Sequence, residues 1–201
     1  MSKKVYPGTQ AILRTVKLLE TFSDQQPEWY LPELSQATGL NRTTTYRILS
    51  ALESAGLVAY NPANDKYRLG SEIIVLGARA LRANPLRTIA QPVLQQLAKT
   101  TGEMASLETL EGDKSMILAE VKGQNQRRLS TSIGNLWPAH ATSTGKVLLA
   151  HLPAAEQQTL LADPLPRLTP HTITNKADLI LRLNQVKTQG YAVAVNELEV
   201  G

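Results

Sequence analysis

The sequence predicts an α+β protein in two parts, an N-terminal winged helix-turn-helix domain and a C-terminal α/β domain. Three observations in the 201 residues support this prediction. Two short helical segments meet at a tight turn around Gly39, two strand-like runs follow them, and from Gly102 strands precede further helices. We place the winged domain at residues 7–70, a connecting helix at 71–84 and the α/β domain at 85–201.

The turn between the two short helices carries the residues that such a turn requires. Pro32 fits the first turn of the earlier helix, where a missing N–H costs nothing. Gly39 suits a left-handed C-terminal cap, and Asn41 is predicted to cap the later helix through its side chain. Gly56 ends that helix, and residues 57–69 then read as a two-stranded wing.

The helix after Asn41 is predicted to read DNA, because such a helix enters the major groove with its N-terminal end first. Its polar early residues are the candidate contacts: Arg42, Thr43, Thr44, Tyr46 and Arg47. Thr45 falls on the buried side. In the wing, Asn64, Lys66 and Arg68 are the candidate contacts to the DNA backbone. The competing interpretation is a solvated helix face, but the ordered turn, cap and wing favour DNA binding.

Two other predicted helices carry broad apolar faces. The first covers residues 10–22, with Ile12, Val16, Leu19 and Phe22 on one face and Arg14 and Lys17 on another. The second is the connecting helix, whose wide apolar face we expect to pack against a partner chain as part of a dimer interface.

The C-terminal half changes from helical to mixed periodicity. A hairpin is predicted from strands at 103–110 and 115–121, and Pro92 is expected to break or kink the helix before it. The remaining predicted elements are a strand at 128–133, helices at 144–152, 154–161 and 176–189, and a strand from 191 to 195. With that last strand at the end of the sequence, the sheet is expected to be C-terminally incomplete.

Composition excludes several classes of protein. Apolar residues make up 42% and charged residues 19% of the chain, which is ordinary for a globular protein. There is no cysteine, so disulfides and thiol chemistry are excluded. The N-terminus lacks a signal-peptide pattern and no apolar run is long enough for a membrane helix, so a cytoplasmic location is expected. The net charge of +4 comes from the first half of the chain.

Catalytic and metal-binding motifs are weak. The stretch from His140 to Val147 superficially resembles a P-loop, but it lacks the first glycine and the hydroxyl after Lys146. The three histidines do not have metal-ligand spacing. The sequence therefore predicts a protein that is not an enzyme and has no cofactor or metal.

The sequence resembles the IclR-type bacterial transcriptional regulators across nearly its whole length. The resemblance rests on residues 31–52, on Tyr67-Arg-Leu-Gly, and on the segment from Pro138 to Ala150. It implies a homodimer or tetramer, a double-stranded DNA operator with two-fold symmetry, and a GAF-like C-terminal domain that binds a small effector such as an organic acid.

The resemblance also implies an effector site at the start of the helix around Gly145. Family members hold the ligand carboxylate with backbone amides that correspond to Ser143 and Thr144, beside Gly145. Amides at a helix N-terminus favour an anion. The alternative is that Ser143 or Thr144 merely caps that helix. An acidic effector contact of some family members corresponds to Ala194 here.

Two alternatives from other classes remain open at this point. One is a small-molecule enzyme with an accessory winged domain, and the other is a protein-interaction module that uses the winged fold without DNA. The resemblance leaves repression and activation as equal alternatives.

Overall fold

The computed structural model of the chain describes residues 6, 8–124 and 133–200. The chain divides into two compact units, Met1–Ala83 and Asn84–Gly201. Within the described part of the chain, no helix is long and apolar enough to cross a membrane.

The first unit contains four helices and a small antiparallel sheet. In chain order these are α1 (Gln10–Glu20), β1 (Glu28–Trp29), α2 (Leu31–Thr38), α3 (Arg42–Ser54), β2 (Val58–Asn61), β3 (Lys66–Leu69) and α4 (Ser71–Ala83). The sheet order is β1-β3-β2. The predicted helix-turn-helix and wing are confirmed, and a third strand, β1, adds to the wing through the pairs Glu28–Arg68 and Trp29–Tyr67.

The turn between α2 and α3 has the predicted chemistry. Gly39 adopts φ 70°, the left-handed conformation that a glycine accepts without steric cost. Asn41 caps α3, with its side-chain Oδ1 accepting from the backbone N–H of Thr44 at 2.8 Å. At the other end of α2, the Tyr30 N–H donates to the Glu33 carboxylate at 3.1 Å.

The core of the first unit lies between α1, α2, α3 and the wing. Its buried members are Leu18, Phe22, Leu34, Leu49, Leu52, Val58 and Tyr67. Only part of the apolar face predicted for α1 is buried, because Phe22 lies in the core whereas Ile12 is 64% and Val16 44% exposed. Leu18 lies in the core instead and is fully buried. The apolar residues of α1 cover two faces, and this chain alone covers only the one around Leu18.

The connecting helix α4 has no buried residue. Ile74 is 74% exposed and Leu76 is 47% exposed. The wide apolar face predicted for this helix is therefore present, and within the single chain it lies open.

Within its described residues, the second unit combines a three-stranded antiparallel sheet with four helices. In chain order these are α5 (Pro85–Thr101), β4 (Ala105–Glu111), β5 (Lys114–Val121), β6 (Leu136–Pro138), a 3-10 turn at Ala139–Ala141, α6 (Ser143–Ala150), α7 (Ala154–Leu160) and α8 (Lys176–Gln189). The sheet order is β4-β5-β6. One part of the core packs α6 against α8 and the other packs α5 against β4 and β5.

Two predictions for the second unit need correction, and a third falls almost entirely outside the described residues. The helix α5 continues through Pro92 instead of breaking there, and Leu94 and Ala98 beyond the proline are buried. Residues 191–195 form no regular strand. The strand predicted at 128–133 lies outside the described residues except for Ile133, which belongs to a turn.

Candidate DNA interface and effector site

The helix α3, which we call the recognition helix, presents polar side chains to solvent in its first two turns. Arg42, Thr43, Tyr46 and Arg47 are exposed, and Thr44 is half-buried. Thr45 is fully buried, as predicted, and its hydroxyl donates to the Asn41 carbonyl at 3.0 Å. The first turn contains no acidic residue, so the positive end of the helix dipole has no carboxylate beside it.

The polar side chains of the recognition helix face two different neighbours. Arg42 and Tyr46 are four residues apart and line a groove that faces the wing. Thr44 and Arg47 are three residues apart and line a second concavity that faces α1. Because successive helix positions are about 100° apart, Thr43 lies between these two sides and points outward.

The groove on the wing side has a volume of about 660 Å³ and is rich in tyrosine. The Tyr60 hydroxyl donates to Asp65 at 2.8 Å, and this hydrogen bond raises the pKa of Tyr60 above 10.0. Tyr67 packs against Tyr60 with ring centroids 5.0 Å apart. Burial raises the pKa of Tyr67. Both phenols therefore stay neutral around physiological pH.

The three wing candidates have different surroundings. The Asn64 amide donates to Glu28 at 3.0 Å, which ties the tip of the wing to β1. The Lys66 ammonium lies 5.0 Å from the centroid of the Tyr30 ring. Arg68 is exposed on β3. Of the three, Arg68 has no such contact with a neighbouring side chain among the described residues.

The N-terminus of α6 has two backbone amides without a partner among the described residues, those of Ser143 and Thr144. Thr142 provides the cap, because its hydroxyl accepts from the Gly145 N–H at 3.0 Å. Its carbonyl accepts from the backbone N–H of Lys146. Neither Ser143 nor Thr144 caps the helix, so that alternative is excluded. Ser143 is exposed and Thr144 half-buried, and the first turn of α6 has no acidic residue.

Gly145 has a steric role in this site, since its amide already bonds to Thr142. A Cβ atom at Gly145 would lie 2.3 Å from the Ala139 carbonyl oxygen and 2.5 Å from the Thr142 hydroxyl. Only glycine permits this approach of α6 to the 3-10 turn. The glycine therefore fixes where the free amides point.

A buried ion pair begins at the residue after Gly145 on α6. Lys146 is fully buried, and its ammonium donates to the carboxylate of Glu197. The backbone carbonyl of Glu197 accepts from Thr172 at 2.7 Å, and that of Asn196 accepts from Thr169 at 2.6 Å. The sequence analysis missed this pair. Its only signal was a lone lysine immediately before the apolar run from Val147 to Ala150.

The remaining polar candidates do not form a catalytic or metal site among the described residues. His140 is buried, and its Nε2 lies 2.9 Å from the Pro166 carbonyl oxygen. No group of three histidine or acidic side chains in the described part of the chain could hold a metal ion. The fold and the polar face of α3 together define a winged helix-turn-helix protein with a separate α/β domain.

Comparison with known proteins identifies the family. The model of the IclR helix-turn-helix domain matches residues 11–62, and the model of the bacterial transcriptional regulator IclR C-terminal domain matches residues 78–201. The chain belongs to the IclR family of bacterial transcriptional regulators.

Curated relatives agree with this assignment. The HTH-type transcriptional regulator XynR of Escherichia coli is 32% identical over 97% of this chain and 78% of its own length. The HTH-type transcriptional regulator TtgV of Pseudomonas putida is 35% identical over 94% of this chain and 72% of its own length. The family and these relatives are transcriptional regulators and not enzymes, which excludes the enzyme alternative.

Solved structures share the fold. An IclR transcriptional regulator from Alicyclobacillus acidocaldarius superposes with a TM-score of 0.80 at 30% identity, covering 98% of this chain and 79% of that one. An IclR homolog from Microbacterium hydrocarbonoxydans, complexed with 4-hydroxybenzoate, gives a TM-score of 0.76 at 26% identity and covers 94% and 79% of the two chains.

Proposed function

We propose that this regulator binds a double-stranded operator through α3 and the wing, and that a small organic acid at the N-terminus of α6 changes its operator affinity. The observation that carries the DNA contact is the first turn of α3. It combines a side-chain cap, exposed Arg42 and Thr43, and no acidic residue. A positive helix end beside guanidinium and hydroxyl groups is suited to phosphates and base edges.

Each candidate contact has a distinct role in this proposal. Base reading is assigned to the polar side chains of the recognition helix, namely the exposed Arg42, Thr43, Tyr46 and Arg47 and the half-buried Thr44. Backbone contacts are assigned to Asn64, Lys66 and Arg68 on the wing. Arg68 has the most freedom to reach a phosphate, whereas Asn64 and Lys66 first have to leave Glu28 and Tyr30.

Arginine substitutions test the DNA contact. An operator duplex is selected from a random-sequence pool with the wild-type chain, and its affinity is then compared for Arg42→Ala and Arg47→Ala. Each change is expected to cost about 1–3 kcal/mol and to relax the selected sequence. Lys187→Ala removes one positive charge from the exposed side of α8 and is the control. Unchanged affinity in both arginine variants would refute the contact and favour a protein-interaction module.

The effector proposal rests on the two free amides of α6. A carboxylate placed against the Ser143 and Thr144 N–H groups would complete the hydrogen bonding of this helix end. One structural relative is complexed with 4-hydroxybenzoate, so aromatic and other organic acids are the first candidates for this chain.

Proline offers a selective test of an amide contact. Thr142 has φ −112° and ψ 152°, the extended conformation that a residue before proline prefers, and proline is tolerated at the first helical position. Ser143→Pro therefore deletes one amide while α6 keeps its conformation, and Ser143→Ala deletes only the hydroxyl. In a thermal-shift screen with 4-hydroxybenzoate and other organic acids, the proline variant should lose the ligand-induced stabilisation and the alanine variant should retain it. Equal stabilisation of both variants by the ligand would show that the Ser143 amide does not contact it.

We also propose that the chain is a homodimer, with a dimer of dimers as the larger alternative. The exposed apolar faces of α1 and α4 support this proposal, because Ile12 and Ile74 are both more than 60% exposed in the single chain. Ile74→Glu should lower the mass measured by analytical ultracentrifugation, whereas Leu181→Glu, on the exposed side of α8, should not. A wild-type monomer would refute the proposal.

The domain division follows the same interpretation. We assign residues 7–70 to the winged domain, 71–84 to the connecting helix and 85–201 to the effector domain, close to the boundary between the two compact units at Ala83. Because its operator DNA lies in the bacterial cytoplasm, we assign the regulator to that compartment.

A further inference from the structure

We infer that α1 provides a DNA-backbone contact through Arg14, in a phosphate-binding notch between α1 and α3. The notch has a volume of about 380 Å³. Its polar lining consists of Arg14 and Thr15 from α1 and of Thr44 and Arg47 from α3, over an apolar floor that includes Ala51 and Leu52. The inference rests on the proposed DNA-binding function and adds a helix that this function has not yet used.

The chemistry of the notch selects an anion. Two arginines and two threonines line it, and no acidic residue does. Neither Arg14 nor Arg47 forms a salt bridge with a described residue. The ion pair between Lys146 and Glu197 belongs to the other unit. Arginine presents several N–H donors in a planar fork that matches a phosphate. Arg14 lines this open concavity next to the base-reading Arg47, so the ligand it favours there is a phosphate diester and not a neutral group.

The position of the notch identifies which phosphate it would contact. Arg42 and Tyr46 face the wing, Thr43 faces outward, and Arg47 faces α1. A duplex that receives the outward face of α3 in its major groove has one backbone on each side of that helix. The wing lies along one of these backbones. The notch lies along the other, so Arg14 contacts a phosphate and no base.

A phosphate contact and a base contact respond differently to substitution. Loss of a phosphate contact weakens binding to all sequences equally and lowers the slope of log affinity against log salt concentration by about one. Arg14→Ala should therefore weaken binding of the full chain to the selected operator and to an unrelated duplex by the same factor, roughly tenfold. Arg14→Lys keeps the charge and should keep the salt slope.

The controls separate this inference from the function on which it rests. Lys187→Ala removes an equal charge from α8 and should leave both affinities unchanged. If the wild-type chain binds no duplex, the proposed function fails. If the wild type binds and Arg14→Ala binds equally well with the same salt slope, only the notch is refuted. A loss of affinity confined to the selected operator would also refute the notch, because such a loss would make Arg14 a base-reading residue.

Phosphate ethylation interference locates the contact directly. Ethylation of the backbone phosphates next to each half-site should interfere with wild-type binding at one position that becomes neutral with Arg14→Ala. The same position should remain sensitive with Lys187→Ala. Identical interference patterns for the wild type and Arg14→Ala would overturn the inference.

Inorganic phosphate distinguishes DNA from a free anion as the source of the ligand. Without DNA, the melting temperatures of the wild type and Arg14→Ala are compared in phosphate and in chloride at equal ionic strength. The DNA-backbone assignment predicts the same small difference for both proteins. Stabilisation by phosphate that disappears in Arg14→Ala, together with a DNA affinity and salt slope that this variant leaves unchanged, would identify a free-anion site and overturn the assignment to DNA.

Discussion

The ammonium of Lys146 on α6 donates to the carboxylate of Glu197, which lies 51 residues further along the chain. Lys146 is fully buried and the Glu197 side chain is 11% exposed. The pair joins the helix that carries the free amides to a segment without regular secondary structure, which Thr169 and Thr172 also hold. In the described structure the Glu197 Oε2 atom is buried without a hydrogen-bond partner, so Lys146 is the main compensation for this charge.

Breaking this pair from one side should be costly. Lys146→Met leaves the Glu197 carboxylate buried without its cation, and we expect the free energy of unfolding to fall by about 3–5 kcal/mol. The double variant Lys146→Met/Glu197→Leu should be more stable than the single variant, since it leaves no buried charge. Urea denaturation measures both. Lys187→Met, on the exposed side of α8, should change stability by less than about 0.5 kcal/mol. A loss below about 1 kcal/mol in Lys146→Met would show that the pair is not effectively buried.

Capping of the recognition helix should affect both stability and DNA binding. Asn41→Ala removes the acceptor of the Thr44 N–H, and we expect a loss of about 1 kcal/mol in the free energy of unfolding. Because this N-terminal turn carries the proposed DNA contacts, operator affinity should fall with it. Thermal unfolding and fluorescence anisotropy with the selected operator measure the two effects.

Asn84 provides a matched control in the other unit. Its side chain caps α5 by accepting from the Arg87 N–H at 3.1 Å, so Asn84→Ala should lose a similar amount of stability. Its operator affinity should stay at the wild-type value. Equal losses of operator affinity in both variants would mean that the affinity follows the overall stability of the chain and not the capping of α3.

Gly145 and Gly77 give opposite expectations for the same substitution. Gly145→Ala would place its Cβ 2.3 Å from the Ala139 carbonyl oxygen. The start of α6 must then shift, which should destabilise the second unit and abolish stabilisation by an organic acid. Gly77→Ala on α4 meets nothing within 4 Å and should raise the free energy of unfolding by about 0.5–1 kcal/mol. Thermal unfolding with and without ligand compares them. A fully ligand-responsive Gly145→Ala variant would contradict the proposed geometry.

Local signals predicted most elements of the fold. The helix at Lys176–Gln189 has the predicted bounds, because Asn175 and Gly190 cap its two ends within a strong period. The hairpin around Gly112 follows from two alternating runs and a turn. The burial of Thr45 was predicted from its position opposite the polar face. Each of these features depends on residues within one or two turns of one another.

Features that depend on distant residues were missed. The two-residue strand β1 exists only because it pairs with β3, about 40 positions away. The Lys146–Glu197 pair joins two segments that no local pattern connects. For α1, hydrophobic periodicity could not rank two apolar faces, and the packing of Leu18 against the wing and α3 decided between them. The candidate DNA contacts on α3 were found because they occupy one helix, whereas Arg14 and Arg47 line one concavity only after folding.

The wing should show a titration that depends on Asp65. The Tyr60 hydroxyl donates to Asp65, so ionisation of this phenol loses a hydrogen bond and places two negative charges together. This hydrogen bond is the largest cause of the raised pKa of Tyr60. Asp65→Asn should bring that pKa down towards 10.0. Titration of the phenolate absorbance in the folded chain measures the change, and Tyr60→Phe identifies which transition belongs to this residue.

The same shift has a defined sign for stability. Since the folded pKa of Tyr60 lies above its unfolded value of 10.0, the contribution of the Tyr60–Asp65 bond is fully present below pH 10.0 and is lost as pH rises through the folded pKa. Burial gives Tyr67 the same sign. The wild-type chain should therefore lose more stability than Tyr60→Phe when urea denaturation is repeated at increasingly alkaline pH. Parallel pH profiles for the two proteins would show that the hydrogen bond does not persist in solution.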